Sequence, residues 1–254
     1  MSSDNKTIVG SILVDCSLSM ELILPTLITS LKSFIDEIKS HESTSSNCYF
    51  RLSTFSNKRN NIFPNTLNSN AFGNIKDIGK EHVKFKTQGC TRLHDSAIEE
   101  IDILSDKLHS LKGENVKSWF VLLTDGYDNM SVSFASVLEE KVIDLKKRDV
   151  NCIFMGANID AKKHAGFFGF DESKTVQVDL NVHENHMDAP LFQCFRALSD
   201  NITQVIENDL YNMEFTPVQR ALSAPSHFNT QKTQPTQNND DYLINLPPPT
   251  LQRH

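Results

Sequence analysis

A chain of 254 residues with 39% apolar side chains fits one large domain plus an appendage better than two full domains. Its formal charge of −7 argues against nucleic acid as the main partner, because phosphate binding needs a basic face and the lysines and arginines here are scattered. The five cysteines are far apart, odd in number and form no C-x-x-C pair, a pattern of buried thiols in a reducing compartment rather than of disulfides or zinc.

The elements alternate. Residues 6–14 form a short apolar run that reads as a strand buried on both faces, broken by Gly10 and Ser11 and ending at Asp15, which is no signal peptide. Residues 22–38 place Leu24, Leu27, Ile28, Leu31, Phe34, Ile35 and Ile38 at helical spacing. Residues 48–55 alternate in polarity and predict a strand nearer the sheet edge, and the Asn-rich stretch 57–74 predicts a loop. Then follow a helix over 93–111, a central strand over 119–124, a helix over 134–147, a strand over 152–156, a short helix over 161–168, a last strand over 175–178 and a long amphipathic helix over 190–213. No stretch is apolar enough to cross a bilayer, so the expectation is a soluble, cytoplasmic protein without membrane insertion.

Alternation of this kind implies an α/β, Rossmann-like, doubly wound and mainly parallel sheet with helices on both faces, spanning 1–214. Residues 215–254 are dominated by Asn, Gln, Thr, Ser and Pro and read as a disordered polar tail. Within it, Arg220 to Pro225 match an R-x-x-S-x-P pattern similar to a phosphoserine docking motif, a match that short polar tails produce by chance, and Leu243 to Leu246 before three prolines resemble a docking peptide.

Three short segments are each read as sitting just after a predicted buried strand: Asp15-Cys16-Ser17-Leu18-Ser19, Gly89-Cys90-Thr91-Arg92-Leu93-His94-Asp95 and Thr124-Asp125-Gly126. In an open α/β sheet the carboxyl ends of the strands form the ligand crevice, so these loops are expected to converge. They offer two carboxylates and three hydroxyls, an all-oxygen set suited to a hard octahedral cation. Taken one at a time, Ser17 and Ser19 are also ordinary helix caps, Thr91 and Asp95 likewise, and Thr124 to Gly126 an ordinary turn.

Together, D-x-S-x-S, G-x-T-x-L-x-D and T-D-G in this order resemble the metal-ion-dependent adhesion site (MIDAS) of von Willebrand factor A-type (vWA) domains, over roughly residues 6–213. The resemblance implies that Ser17, Ser19 and Thr91 ligate Mg²⁺ (or Mn²⁺) through hydroxyls, that Asp15 and Asp125 bind directly or through water, and that the last position takes an Asp or Glu carboxylate from a protein partner. Asp95, Gly89 and Gly126 are expected to support these ligands from behind. Without the cation, Asp15 and Asp125 at about 5 Å would repel by about 3 kcal/mol at an effective dielectric of 20.

Asp128 and Asn129 read as turn or cap residues, Gly156 to Asp160 as a tight turn and helix cap, and His94 as a solvated residue bordering the site. His183 and His186 lack the further Cys or His that zinc needs. No phosphate loop, nucleophile elbow or nucleophile–base pair is apparent, so no catalytic residue is assigned and a binding module is expected rather than an enzyme. The alternatives are an adaptor or assembly factor, working with an AAA+ ATPase or within a viral structure, and a phosphotransferase using Asp15, against which stands Ser17 where such enzymes carry a second aspartate.

Overall fold

Nine consecutive buried residues make Thr7–Asp15 (β1) a strand with both faces covered, and the same is true of nearly all of Val116–Thr124 (β5) and of Val150–Ala157 (β6). The structure, a computed structural model, describes residues 6–41, 47–66, 68, 70–112, 114–178, 190–207 and 213–223. Its strands also include Cys48–Phe55 (β2), Arg59–Phe63 (β3), Gly73–Asn74 (β4) and Thr175–Val178 (β7). They build one seven-stranded sheet in the order β3-β2-β1-β5-β6-β7, with β4 also paired to β2. All neighbours from β2 to β7 are parallel, and only β3 and β4 run antiparallel.

Side chains alternate across the sheet, so each strand feeds two cores. On one face Ile8, Ile12, Phe50, Trp119, Val121 and Ile153 pack against Leu24–Ser40 (α1) and Pro190–Glu207 (α5). On the other, Val9, Leu13, Phe120, Leu122 and Phe154 pack against Leu93–Ser110 (α2), Ala135–Lys146 (α3) and Ala161–Phe167 (α4). This is the doubly wound arrangement that the alternation predicts. Gly10, which interrupts the first apolar run, has a packing reason: a Cβ there would lie 2.0 Å from the Trp119 indole.

Three expectations are corrected. β2 is interior, not near an edge, because the stretch 57–74 expected to be loop supplies β3 and β4 outside it. The sequence of β3, Arg-Asn-Asn-Ile-Phe, is polar because an edge strand needs no cover on both faces, so an apolar-run criterion passes over it. The folded chain also passes the boundary expected at 214: Met213 and Phe215 are buried, and Pro217–Ser223 forms a helix (α6) packed on α5 and β7. Thr216 and Gln219 bond each other's backbone N–H at 2.8 and 3.2 Å, a capping box with Pro217 at the first helical position. Ser223 is buried and donates to the Gln219 carbonyl, so the phosphoserine-like pattern falls partly on a packed side chain. Ala224 and Pro225 of that pattern, the segment 243–246, residues 208–212 of the long predicted helix, and His183 and His186 lie outside the described residues.

Candidate metal centre

β1 and β5 are adjacent and parallel, with Val14 opposite Leu123. The helix after β1 lies on one face of the sheet and the helix after β5 on the other. Their carboxyl ends therefore part at a topological switch point, where an open α/β sheet has its crevice. Asp15 ends β1 and Thr124 ends β5, so both aspartate loops open there. The third loop follows no strand end, contrary to expectation, but leads into α2. It is pinned beside the other two: Gln88 N–H donates to the Cys16 carbonyl at 2.8 Å, Leu18 N–H to that of Gly89 at 3.3 Å, and Arg92 N–H to that of Ser56 at 2.9 Å.

The predicted oxygens meet. Ser17 Oγ and Ser19 Oγ are 3.0 Å apart, and Ser19 Oγ donates to Asp125 Oδ1 at 2.8 Å. Asp15 accepts from Ser17 N–H at 2.8 Å through one oxygen and from Thr124 Oγ1 at 2.7 Å through the other. Gly126 faces Thr91 and Ser19 together, since a Cβ built on it would lie 3.9 Å from Thr91 Oγ1 and 4.0 Å from Ser19 Oγ. Burial grades through the set: Asp15, Ser17 and Thr91 are buried, Asp125 is half-buried and Ser19 is exposed, so the cluster opens to solvent on one side.

These residues fit a small dication. Neighbouring oxygens on an octahedral Mg²⁺ at about 2.1 Å stand about 3 Å apart, which the Ser17, Ser19 and Asp125 oxygens match. Among the described residues no basic side chain pairs with either aspartate, and no three His, Cys, Asp or Glu side chains gather as a metal group, here or elsewhere, so the candidate set rests on two carboxylates and three hydroxyls. Burial pushes the Asp15 carboxyl up to about 6 against the opposing bonds from Ser17 and Thr124, and the Asp125 charge adds to the rise. Burial likewise raises Asp125, and the Ser19 bond offsets part of it. Desolvation thus outweighs the mutual repulsion anticipated from sequence.

The capping alternative is not what these hydroxyls do. Ser17 precedes a 3-10 turn, Leu18–Leu22, with no side-chain cap bond, and the cap position of α2 is Arg92, again without one. Gly89 has φ +64, and a Cβ there would lie 2.2 Å from Asn57 Oδ1. That Asn57 oxygen accepts from Cys90 N–H at 2.6 Å, so glycine and amide together set the turn that presents Thr91. Asn129 grips Thr91 from the other side: its Oδ1 accepts from Thr91 N–H at 2.8 Å and its own N–H donates to the Thr91 carbonyl at 3.0 Å. Asn57 and Asn129 are supports that the sequence reading missed, and a loop asparagine carries no signal that marks this role.

Asp95 touches no ligand of the set. Its carboxylate accepts from Val132 N–H and Ser133 N–H at 3.0 Å each and pairs with Arg92 at 3.0 Å, fastening the β5–α3 loop to the start of α2. Desolvation raises its pKa, but the bonds from Ser133 and Val132 and the Arg92 charge outweigh this and hold it at about 2. Asp128 acts alongside, accepting from His94, Met130 and Ser131 N–H groups. His94 is not solvated: its ring packs edge-on to Phe168 at 5.5 Å and meets the Ser133 carbonyl at 3.1 Å. At the next strand end Asp160 caps α4 through Lys163 N–H at 3.1 Å, the turn-and-cap role expected of that segment.

No protein-family model matches the sequence, and a search of curated proteins found none similar. Solved structures do match. A von Willebrand factor type A protein from Catenulispora acidiphila superposes with a TM-score of 0.54 at 14% identity, covering 78% of this chain and 43% of that one. The fold is that of a vWA domain. The pilus adhesin SpaC from Lactobacillus rhamnosus GG matches with a TM-score of 0.59 at 13% identity over 80% of this chain and 30% of its own. Proximal thread matrix protein 1 from the mussel byssus, in a structure with a zinc-occupied MIDAS motif, matches with a TM-score of 0.52 at 20% identity over 80% and 46%. The chain thus spans less than half the length of each of these vWA-fold proteins. No helix among the described residues is long and apolar enough to cross a membrane.

Proposed function

We propose that this vWA-fold chain is a metal-dependent protein-binding module. In this reading Ser17, Ser19 and Thr91 hold Mg²⁺ (or Mn²⁺) through their hydroxyls, Asp15 and Asp125 bind it directly or through water, and the exposed side beside Ser19 receives an Asp or Glu carboxylate of a protein partner. The observation that carries it is the convergence of five oxygen-bearing side chains from three separate loops, at spacings of 3.0 and 2.8 Å where they touch. The bound cation would supply positive charge to a partner anion, and the chain's own residues supply a desolvated, pre-positioned oxygen set. In this reading the ion serves binding rather than turnover, and the domain works in the cytoplasm. The five free cysteines support that location, four of them buried and only Cys90 exposed.

The test begins with calorimetric titration of Mg²⁺ and Mn²⁺ into the wild-type chain and into Asp15→Ala and Ser19→Ala variants. A saturable site in the wild type and its loss in both variants is expected, with far-UV circular dichroism unchanged. Equal cation affinity in all three would overturn the reading. Affinity capture in Mg²⁺ with release by EDTA, absent for Asp15→Ala, then identifies the partner class. An AAA+ ATPase subunit and a structural assembly protein are the two outcomes that would extend it to an adaptor role, and metal-dependent turnover of a generic phosphate ester would replace it with an enzyme.

A further inference from the structure

Ten large apolar side chains stand exposed among the described residues, and six of them, Leu18, Leu22, Tyr127, Met130, Val132 and Phe134, lie in the two loops that carry Ser17, Ser19 and Asp125. Single exposed apolar residues need no explanation, but a concentration beside one polar site marks an interaction surface. Leu18 is 59% exposed between the two serines, and Leu22 is 92% exposed one helical turn on. Across the crevice Tyr127 is 70% exposed with its ring braced edge-on against His164 at 4.6 Å. Met130 follows Asn129, whose amide holds Thr91. The site is therefore a polar, cation-fitting centre with an apolar collar on two sides.

We propose that this collar and centre are covered by the chain's own residues Asp240-Asp241-Tyr242-Leu243-Ile244-Asn245-Leu246, a carboxylate of the acidic pair at the cation and Tyr242, Leu243 and Ile244 on the collar. The inference rests on the metal reading above. The chemistry is matched in one short stretch: Asp240 and Asp241 are the only acidic residues after Ser223, and the bulkiest apolar run of that region follows them directly. Charge complementarity makes the contact cation-dependent, because Asp15 and Asp125 have no basic partner among the described residues and would repel Asp240 and Asp241 in the metal-free site.

The reach is sufficient. α6 is tied to the amino end of β7, where Arg220 donates to the Ser173 carbonyl at 3.0 Å, so the chain leaves from the end of the sheet opposite the site. A nine-residue strand such as β1 is about 30 Å long. The 17 residue steps from Ser223 to Asp240 extend to about 55 Å, enough to climb the domain. A tether of that length holds the segment at an effective concentration on the order of millimolar, so even a weak contact is populated. An external partner then competes with this segment and needs the same combination of carboxylate and flanking apolar side chains.

The experiment is NMR on the full ¹⁵N-labelled chain, with Mn²⁺ as a paramagnetic probe. Added Mn²⁺ is expected to broaden the amides of Thr91 and Gly126 and, in parallel, those of residues 240–246, with several-fold loss of peak intensity reversed by EDTA. In an Asp240→Asn/Asp241→Asn double variant Thr91 and Gly126 should still broaden while 242–246 stay sharp. Sharp 240–246 amides beside a broadened site in the wild type would sink this proposal and leave the metal reading standing. No broadening at Thr91 and Gly126 would overturn both. Loss of the tail effect on tenfold dilution would overturn it in favour of a second copy's tail.

Discussion

Glu100 and Asp15 are both fully buried carboxylates, and the chain treats them differently. Glu100, on α2 beneath the sheet, is enclosed by two cations, Arg51 at 2.8 Å and Arg59 at 3.0 Å, and by the Ser11 hydroxyl at 2.6 Å, with the Arg51 and Glu100 side chains fully buried. Asp15 and Asp125, at the carboxyl ends of β1 and β5, receive only hydroxyl and N–H donors among the described residues. A buried charge that is permanent is neutralised from within the fold, whereas a pair left without a guanidinium or ammonium suits a cation that arrives from outside. The first cluster is built for stability, the second is the one proposed above to bind a cation, and four measurements bear on that contrast.

The largest effect should come from the permanent pair. Glu100→Ala leaves Arg51 buried without its partner, and breaking a buried pair from one side costs about 3–5 kcal/mol. Urea denaturation should register that loss equally with and without Mg²⁺. A Mg²⁺-dependent loss would mean that the two clusters are not separate.

Next is the aspartate pair of the proposed cation site. Saturation with a ligand at 100 times its dissociation constant stabilises a fold by about 2.7 kcal/mol. Mg²⁺ should raise the unfolding midpoint of the wild type accordingly and leave Asp15→Asn unmoved. In the absence of Mg²⁺ the variant should match or exceed the wild type, because it removes a desolvated carboxylate that is raised to about 6. A metal-free Asp15→Asn protein several kcal/mol less stable would assign Asp15 to structure rather than to binding.

Asp95 resembles Glu100 more than Asp15, being satisfied from within by Arg92 and two backbone N–H groups. Its folded pKa of about 2 lies below the ordinary value of 3.8, so its stabilisation is present above pH 4 and is lost as the pH falls from about 4 to about 2. The difference corresponds to about 2 kcal/mol for this 7%-exposed side chain. Asp95→Asn should flatten the wild-type decline between about pH 4 and about pH 2 in denaturation experiments. An unchanged slope would show that other carboxylates dominate the acid limb.

How far the sequence discloses this division depends on where each partner lies along the chain. β1, β5 and β6 are legible because burial on both faces leaves continuous apolar runs. Asp15, Ser17, Ser19 and Asp125 are legible because they stand at fixed places after such runs, whereas Thr91 follows no strand end and stands only before α2. Arg51 is not: it occupies the polar phase of an alternating strand and reads as half-solvated, while its partner Glu100 is 49 positions away on another element. β3 is hidden by its polarity, and Asn57 and Asn129 by acting through backbone groups. The capping box at Thr216 and Gln219 was written locally and is the signal that marks α6 inside a region of tail-like composition.

The smallest stability effect should come at Gly126, and it separates geometry from binding most cleanly. Its φ is not in the left-handed region, and a methyl group there would stand at ordinary contact distance, 3.9 Å from Thr91 Oγ1 and 4.0 Å from Ser19 Oγ. Gly126→Ala should therefore change unfolding free energy by no more than about 0.5 kcal/mol, as for a substitution that makes no clash. That methyl nevertheless points between two of the hydroxyls and toward the space where the cation's remaining ligands must sit. Calorimetry on Gly126→Ala should show Mg²⁺ affinity or partner affinity reduced several-fold in a fold of wild-type stability. Undiminished binding would move the ion away from the Thr91–Ser19 side and toward Asp15, where the glycine exerts no steric control.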